Sequence, residues 1–334
     1  MDFKELKDQP RLLMQADLQL LQGSRFQPTG FPDLGAATYN LPGEKQQKML
    51  LVESAQSVAN RLESMIWDEA GQTVIPALQG ISYVTVQQPK GGLLTNSLLE
   101  AHRLNSPYIV GSSKKLSKFG ETLKKELQVE GGKPFDLHQF ATVLVKYDVN
   151  SLLHGIFLEK MSGVSRIARA LSGFIEAKNV EVVRLGGVKN DRVDATGKTD
   201  EKGGSKEGYG NVPYYREEYA AESITAYFSL DLAQIRSYRL GEAIEDLLIA
   251  IALYKIQAFL DRGLRLRTAC DLEVKKEITV KRPDGYKVPS LPELETALPQ
   301  LVKAASSMFA NPAVQVVEWQ PETKTKKTDG GQEG

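Results

Sequence analysis

The chain has 334 residues, 41% of them hydrophobic and 25% charged, too much apolar surface for disorder throughout and enough length for two domains or one domain with large insertions. Forty-two Lys plus Arg balance forty-two Asp plus Glu, so any site for a polyanion has to be a local patch rather than a property of the whole surface. One cysteine, Cys270, excludes an internal disulfide and a multi-cysteine zinc site and fits a reducing, cytoplasmic setting.

The first residues, MDFKELKDQPRLLMQ, lack the apolar centre of a signal peptide. The greasiest run, residues 247–254, is hemmed by Glu245, Asp246 and Lys255 and is too short to cross a bilayer, so a soluble protein is expected. Residues 11–21 alternate at period two, with Leu12, Met14, Ala16, Leu18 and Leu20 on one face, which predicts a strand with one wetted side. The glycines and prolines of GSRFQPTGFPDLGAATY then predict a shaped loop. Over 46–69, the spacing of Leu51, Ala55, Val58, Leu62 and Met65 or Ile66 predicts a helix.

Residues 77–87 and 140–148, rich in β-branched and aromatic side chains, are expected to be strands, with a polar, lysine-rich helix between them. ESITAYFSLDL, residues 222–232, alternates without a break and predicts a strand. GEAIEDLLIAIALYKIQAFLDRG predicts a long helix stopped at Gly263, followed by a basic strand that carries Arg265 and Arg267 on one face. Strand, helix, strand, then strand, helix, strand points to an α+β, ferredoxin-like (RRM-like) palm. Fold alone assigns no activity. The tail, 321–334, reads as a disordered linker.

Enzyme motifs are absent: His102, His138 and His154 stand in no metal-ligand spacing, and there is no GxSxG, Walker lysine motif or GxGxxG. Cations cluster instead. Lys114 and Lys115 open a lysine-rich stretch with Lys118, Lys124 and Lys125, readable as a solvated face or as phosphate contacts. Arg166 and Arg169, three apart, converge on one phosphate path if their segment is helical, with structural salt bridges as the alternative. Residues 186–215 combine seven glycines with Lys189, Arg192, Lys198, Lys202 and Lys206, which predicts a projecting hairpin or arm that reaches a polyanion or a neighbouring subunit.

Five stretches in fixed order, SRFQPTGFPDLGAATY, LLVESAQSVANRLE, DVNSLLHGIFLEK, RIARALSGFIEAKNVEVVRLGGVKND and FLDRGLRLRTACDLEV, resemble the backbone subunit of the type I-G (formerly I-U) CRISPR Cascade, a RAMP-superfamily family. The resemblance runs from Ser24 to Val274 and implies a single domain over 1–320. Its palm comes from about 11–87, 140–148 and 222–280, a finger-like insertion from about 90–135 and a thumb hairpin from about 184–220.

The resemblance further implies a non-catalytic, cytoplasmic scaffold that polymerises head to tail along a CRISPR guide RNA. Its partners would be that RNA, the target DNA strand paired to it, copies of itself and other Cascade subunits, with no membrane, metal or cofactor. The loop contacts carry over to Arg25 and Gln27, and the helix contacts to Ser54, Ser57, Asn60 and Arg61. Lys114, Lys115, Arg166, Arg169, Lys189, Arg192, Arg265 and Arg267 complete the expected RNA-binding set. Such a subunit needs phosphate and 2′-hydroxyl contacts rather than base readout, because pairing reads the sequence. Two alternatives stand beside it: a RAMP-type endoribonuclease using Asp191 or Asp194, and an assembly protein that oligomerises without RNA.

Overall fold

The computed structural model describes residues 1, 3–31, 34–43, 46–112, 114–128, 135–161, 166–192, 195–196 and 209–319. Strand β1 (Arg11–Leu20) follows its sequence alternation, with Leu12, Met14, Ala16 and Leu18 buried. The helix expected over 46–69 divides in two: β2 (Lys48–Glu53) and α1 (Ala55–Ser64). The break is chemical. The Ser54 side chain accepts the Ser57 N–H at 3.2 Å, so the helix is capped there, and Leu51 belongs to the strand while Val58, Ala59 and Leu62 are buried on α1.

Of the strand expected over 77–87, only β3 (Tyr83–Gln87) is extended, behind a proline-led turn at Pro76–Leu78. β4 (Leu93–Asn96) pairs with it. The lysine-rich segment is helical as expected, α2 (Lys118–Leu127). Residues 140–148, expected as a strand, are instead the body of α3 (Leu137–Tyr147) and its C-terminal cap, Asp148. Asp136 caps this helix by accepting the Gln139 N–H at 3.0 Å, and it buries Phe140, Ala141, Val143, Leu144, Val145 and Tyr147, so β-branched content is overridden by packing on nearly every side.

The segment around Arg166 and Arg169 is not a helix either. Arg166–Ile167 pairs with Ile156–Phe157, and β5 (Leu171–Lys189) begins two residues after Arg169. Leu171, Gly173, Ile175 and Ala177 point inward at period two, a pattern no helix presents. β5 pairs antiparallel with β6 (Val212–Asp231) in one register from Leu171↔Leu230 to Lys189↔Val212. Asn179, with φ 51°, marks where this hairpin leaves the sheet: β2 pairs with β5 only as far as Lys178. The stretch from Asn179 to Lys189 then carries the ribbon outward by roughly 30 Å at the usual strand rise.

α4 (Glu242–Arg262) is buried along most of its length. It ends at Gly263, where a Cβ would meet the Phe259 ring at 2.5 Å; space rather than a left-handed turn requires the glycine. β7 (Arg265–Arg267), β8 (Cys270–Val274), β9 (Thr279–Arg282), α5 (Leu291–Ala305) and β10 (Val314–Glu318) complete the chain. Among the described residues the main sheet runs β7–β8–β1–β6–β5–β2 to the short strand Thr38–Asn40, with β9 beside β1. The molecule is thus mixed α/β around an antiparallel sheet. Helices α1 and α4 cover one face, Phe228 of β6 meeting Phe259 of α4 edge-on at 6.3 Å. A smaller sheet, β10–β3–β4, lies apart from it and holds β3. No helix among the described residues is long and apolar enough to cross a membrane.

Candidate nucleic-acid interface

Three backbone staples fix the loop after β1. Phe26 and Tyr219 exchange N–H···O bonds of 2.8 Å, Gln27 N–H bonds Ala269 O at 2.8 Å, and Thr29 N–H bonds Val52 O at 2.9 Å. The loop is therefore tied at once to the foot of the hairpin, to the turn between β7 and β8, and to β2. Arg25, Gln27, Ser54, Ser57, Arg61 and Arg267, distant in sequence, meet at this corner.

Two buried carboxylates organise the corner, and neither stands out in the sequence. Glu53, 1% exposed, pairs with Arg61 Nε at 3.0 Å and with Arg267, and also accepts the Ser57 hydroxyl. Both guanidiniums reach past it to the backbone: Arg61 donates to Leu266 O, and Arg267 donates to Gln27 O at 3.0 Å and Val52 O at 3.3 Å. Glu218, on β6, pairs with Arg25 Nε at 3.0 Å and with Arg216. Four arginines outnumber the two carboxylates that hold them, and each guanidinium is held in place. The sequence signal for both acids is weak, because a Glu in a strand is ordinarily a solvated residue.

Arg169 extends the corner along α1: its guanidinium donates to Gln56 Oε1, and Gln56 Nε2 donates to Asn60 Oδ1 at 2.9 Å. Arg169 is half-buried and Arg166 is exposed on its short strand. Arg265 is exposed and Arg267 half-buried on either side of the buried Leu266, as the period-two reading expects, with an irregularity in the pairing between them. The remaining expected contacts lie elsewhere. Lys114 and Lys115 sit on an exposed turn closed by Ser112 N–H to Lys115 O, 2.9 Å. Lys189 and Arg192 are exposed at the far end of the hairpin, where Asp191 Oδ2 accepts the Gly210 N–H at 2.9 Å. Asp194, Lys198, Lys202, Lys206 and the tail 321–334 lie outside the described residues.

Behind α1 lies a buried polar group. Glu63 holds Arg103 at 2.7 Å, and Lys255 of α4 lies 2.8 Å from His154 Nε2 and donates to Asn150 Oδ1. Burial lowers the Lys255 ammonium to about 7 and holds His154 well below its ordinary range, so His154 is a core partner. His102 and His138 are exposed. Cys270 is buried with its thiol pushed up to about 11 by desolvation, the opposite of an activated nucleophile. Among the described residues no group of three or more His, Cys, Asp or Glu is arranged to hold a metal ion.

Comparison with curated proteins finds no match. Among solved structures, the chain is similar to a chain of a "CRISPR RNA-guided surveillance complex, pre-nicking", at 13% identity over 86% of this chain and 82% of that one, TM-score 0.44. It is also similar to Csc2 of Thermofilum pendens, at 10% identity over 89% and 80%, TM-score 0.29. A chain of a "CRISPR RNA-guided surveillance complex" is 13% identical over 86% and 80%, TM-score 0.29. The model of the family described as CRISPR-associated protein GSU0053 matches residues 12–182, just over half of the sequence, and the chain belongs to that family.

Proposed function

We propose that the protein is a non-catalytic, guide-RNA-binding backbone subunit of a type I-G Cascade, polymerising head to tail along the spacer of the guide in the cytoplasm. On this reading β1, α1, β5, β6, α4 and β8, ordered β8–β1–β6–β5 in the sheet, are a ferredoxin-like palm. Residues 90–135 are the finger and 184–220 the thumb, which reaches from one subunit towards the next. The target DNA strand paired to the guide and the other Cascade subunits are the further partners.

One observation carries the reading: the arginine corner where the loop of Arg25 and Gln27, the start of α1 and β7 converge at the foot of a projecting ribbon. The guanidiniums there are charge donors for phosphate, and Asn60, Ser57 and Gln56 suit a ribose hydroxyl. The reading needs only phosphate and ribose contacts from that arrangement, because sequence is delegated to pairing. Asp191, the nuclease candidate, is occupied in closing the end of the ribbon. Purified protein expressed with a CRISPR array should carry RNA of defined length, detected by its 260/280 nm absorbance ratio and by gel, and its assemblies should fall apart with ribonuclease and salt. Assemblies indifferent to both would favour the RNA-independent alternative. Site-specific cuts in complementary RNA, lost in Asp191→Ala, would favour the nuclease.

A further inference from the structure

The sheet face turned away from α1 and α4 holds a second feature. Across β1, β6 and β5 the register aligns Gln15 with Tyr227 and Tyr227 with Phe174, and in the next row Leu13 with Ser229 and Ser229 with Ser172. Phe174 and Tyr227 stack, with ring centroids 5.1 Å apart and planes 27° from parallel. Beside them the two small serines leave a hollow of about 280 Å³. Phe174 stays 37% exposed there, although its neighbours on the same strand alternate into the core.

Among the described residues, the charged side chain lining the hollow is Lys281 of β9, and the next residue, Arg282, is paired with Leu13 and exposed. Acidic residues flank this face on both sides: Asp17 opposite Thr225 opposite Glu176 beyond the aromatic row, engaged with Thr225 and Tyr39 respectively, and Asp231 beyond the hollow, paired with Arg11. An aromatic floor with cations at its β9 edge, and with its flanking carboxylates already engaged, fits a planar ring joined to an anion, with the anion towards β9. We infer that this face is a stacking platform for a base of single-stranded nucleic acid, with Phe174 and Tyr227 under the ring and Lys281 and Arg282 at the phosphate. Sequence-tolerant stacking on aromatics beside a cationic track is how unpaired strands are held on open sheets.

The inference rests on the RNA-binding reading and adds a contact outside the corner described above. The full-length protein is titrated with fluorescent single-stranded oligoadenylate and with an abasic oligomer of equal length, as wild type, Phe174→Leu and Phe174→Tyr. The expected result is a loss of about tenfold in oligoadenylate affinity for Phe174→Leu, unchanged abasic affinity, and recovery in Phe174→Tyr, with urea unfolding midpoints unchanged. Equal affinity of wild type and Phe174→Leu for oligoadenylate, while both bind it in a salt-dependent way, overturns the platform and leaves the proposed function standing. Equal losses on both oligomers, or weakened self-association without RNA, also overturn it, the latter assigning the face to a protein contact. A wild type that binds neither oligomer overturns both readings.

Discussion

At the scale of single residues, the acids decide what the arginines can do. Glu53 is buried and holds Arg61, Arg267 and Ser57, so Glu53→Ala leaves two part-buried guanidiniums without their counter-charge. Breaking one side of a buried ion pair costs about 3–5 kcal/mol, and the urea midpoint of that variant should fall accordingly, with Arg267→Ala close behind because its bonds to the Gln27 and Val52 carbonyls go too. An unshifted midpoint would mean that the corner is solvated rather than locked. The asymmetry explains why these residues are hard to rank from sequence alone. Arg61 and Arg267 look like surface cations in a string of letters, whereas their fixed geometry depends on an acid that β2 and the Ser54 cap deliver from elsewhere in the chain.

At the scale of elements, the outer part of the ribbon is little bound to the rest of the chain. Past Val182 it contributes no residue on β5 to the core, and Tyr214, Tyr215 and Val188 are exposed. Removing it should therefore spare the fold: an Asn-Gly turn joining Gly187 directly to Tyr214, a two-residue hairpin loop, should leave the melting temperature within a few degrees while ordered assembly on guide RNA disappears from electron micrographs. Intact assemblies from that variant would return residues 188–213 to the class of dispensable insertions. Elements with one wetted face were legible in the sequence: β1 and the 222–231 part of β6 appear where alternation put them. Elements buried on nearly all sides were not. Residues 140–148 have no alternation to read, and a short apolar run is compatible with strand or helix until its cap, Asp136, is weighed. Gly173 and the inward run of β5 were obscured in the opposite way, by two arginines three apart that suggested a helical face.

For the whole molecule, the formal charge of zero says nothing against a polyanion partner once the cations are seen to be sorted. Lys114 and Lys115, Lys189 and Arg192, and the corner arginines occupy three separate places, and the corner is organised around buried counter-charges. In the sequence all of these residues look alike, because it carries no record of which loop a staple such as Phe26 to Tyr219 draws in. Sorting predicts different salt behaviour for neighbouring residues. Removing one phosphate partner should flatten the plot of log affinity against log salt by about 0.7 for a single strand. Arg265, exposed on β7, should show that effect alone: Arg265→Ala flattens the slope for guide RNA by one phosphate and leaves the melting temperature unchanged. Arg267→Ala, two residues on, should lower the melting temperature first, because its guanidinium is committed to Glu53. Titrations of both variants across a series of salt concentrations, paired with thermal unfolding, separate the two roles; an Arg265→Ala slope equal to wild type would exclude this edge of the corner from the path of the RNA.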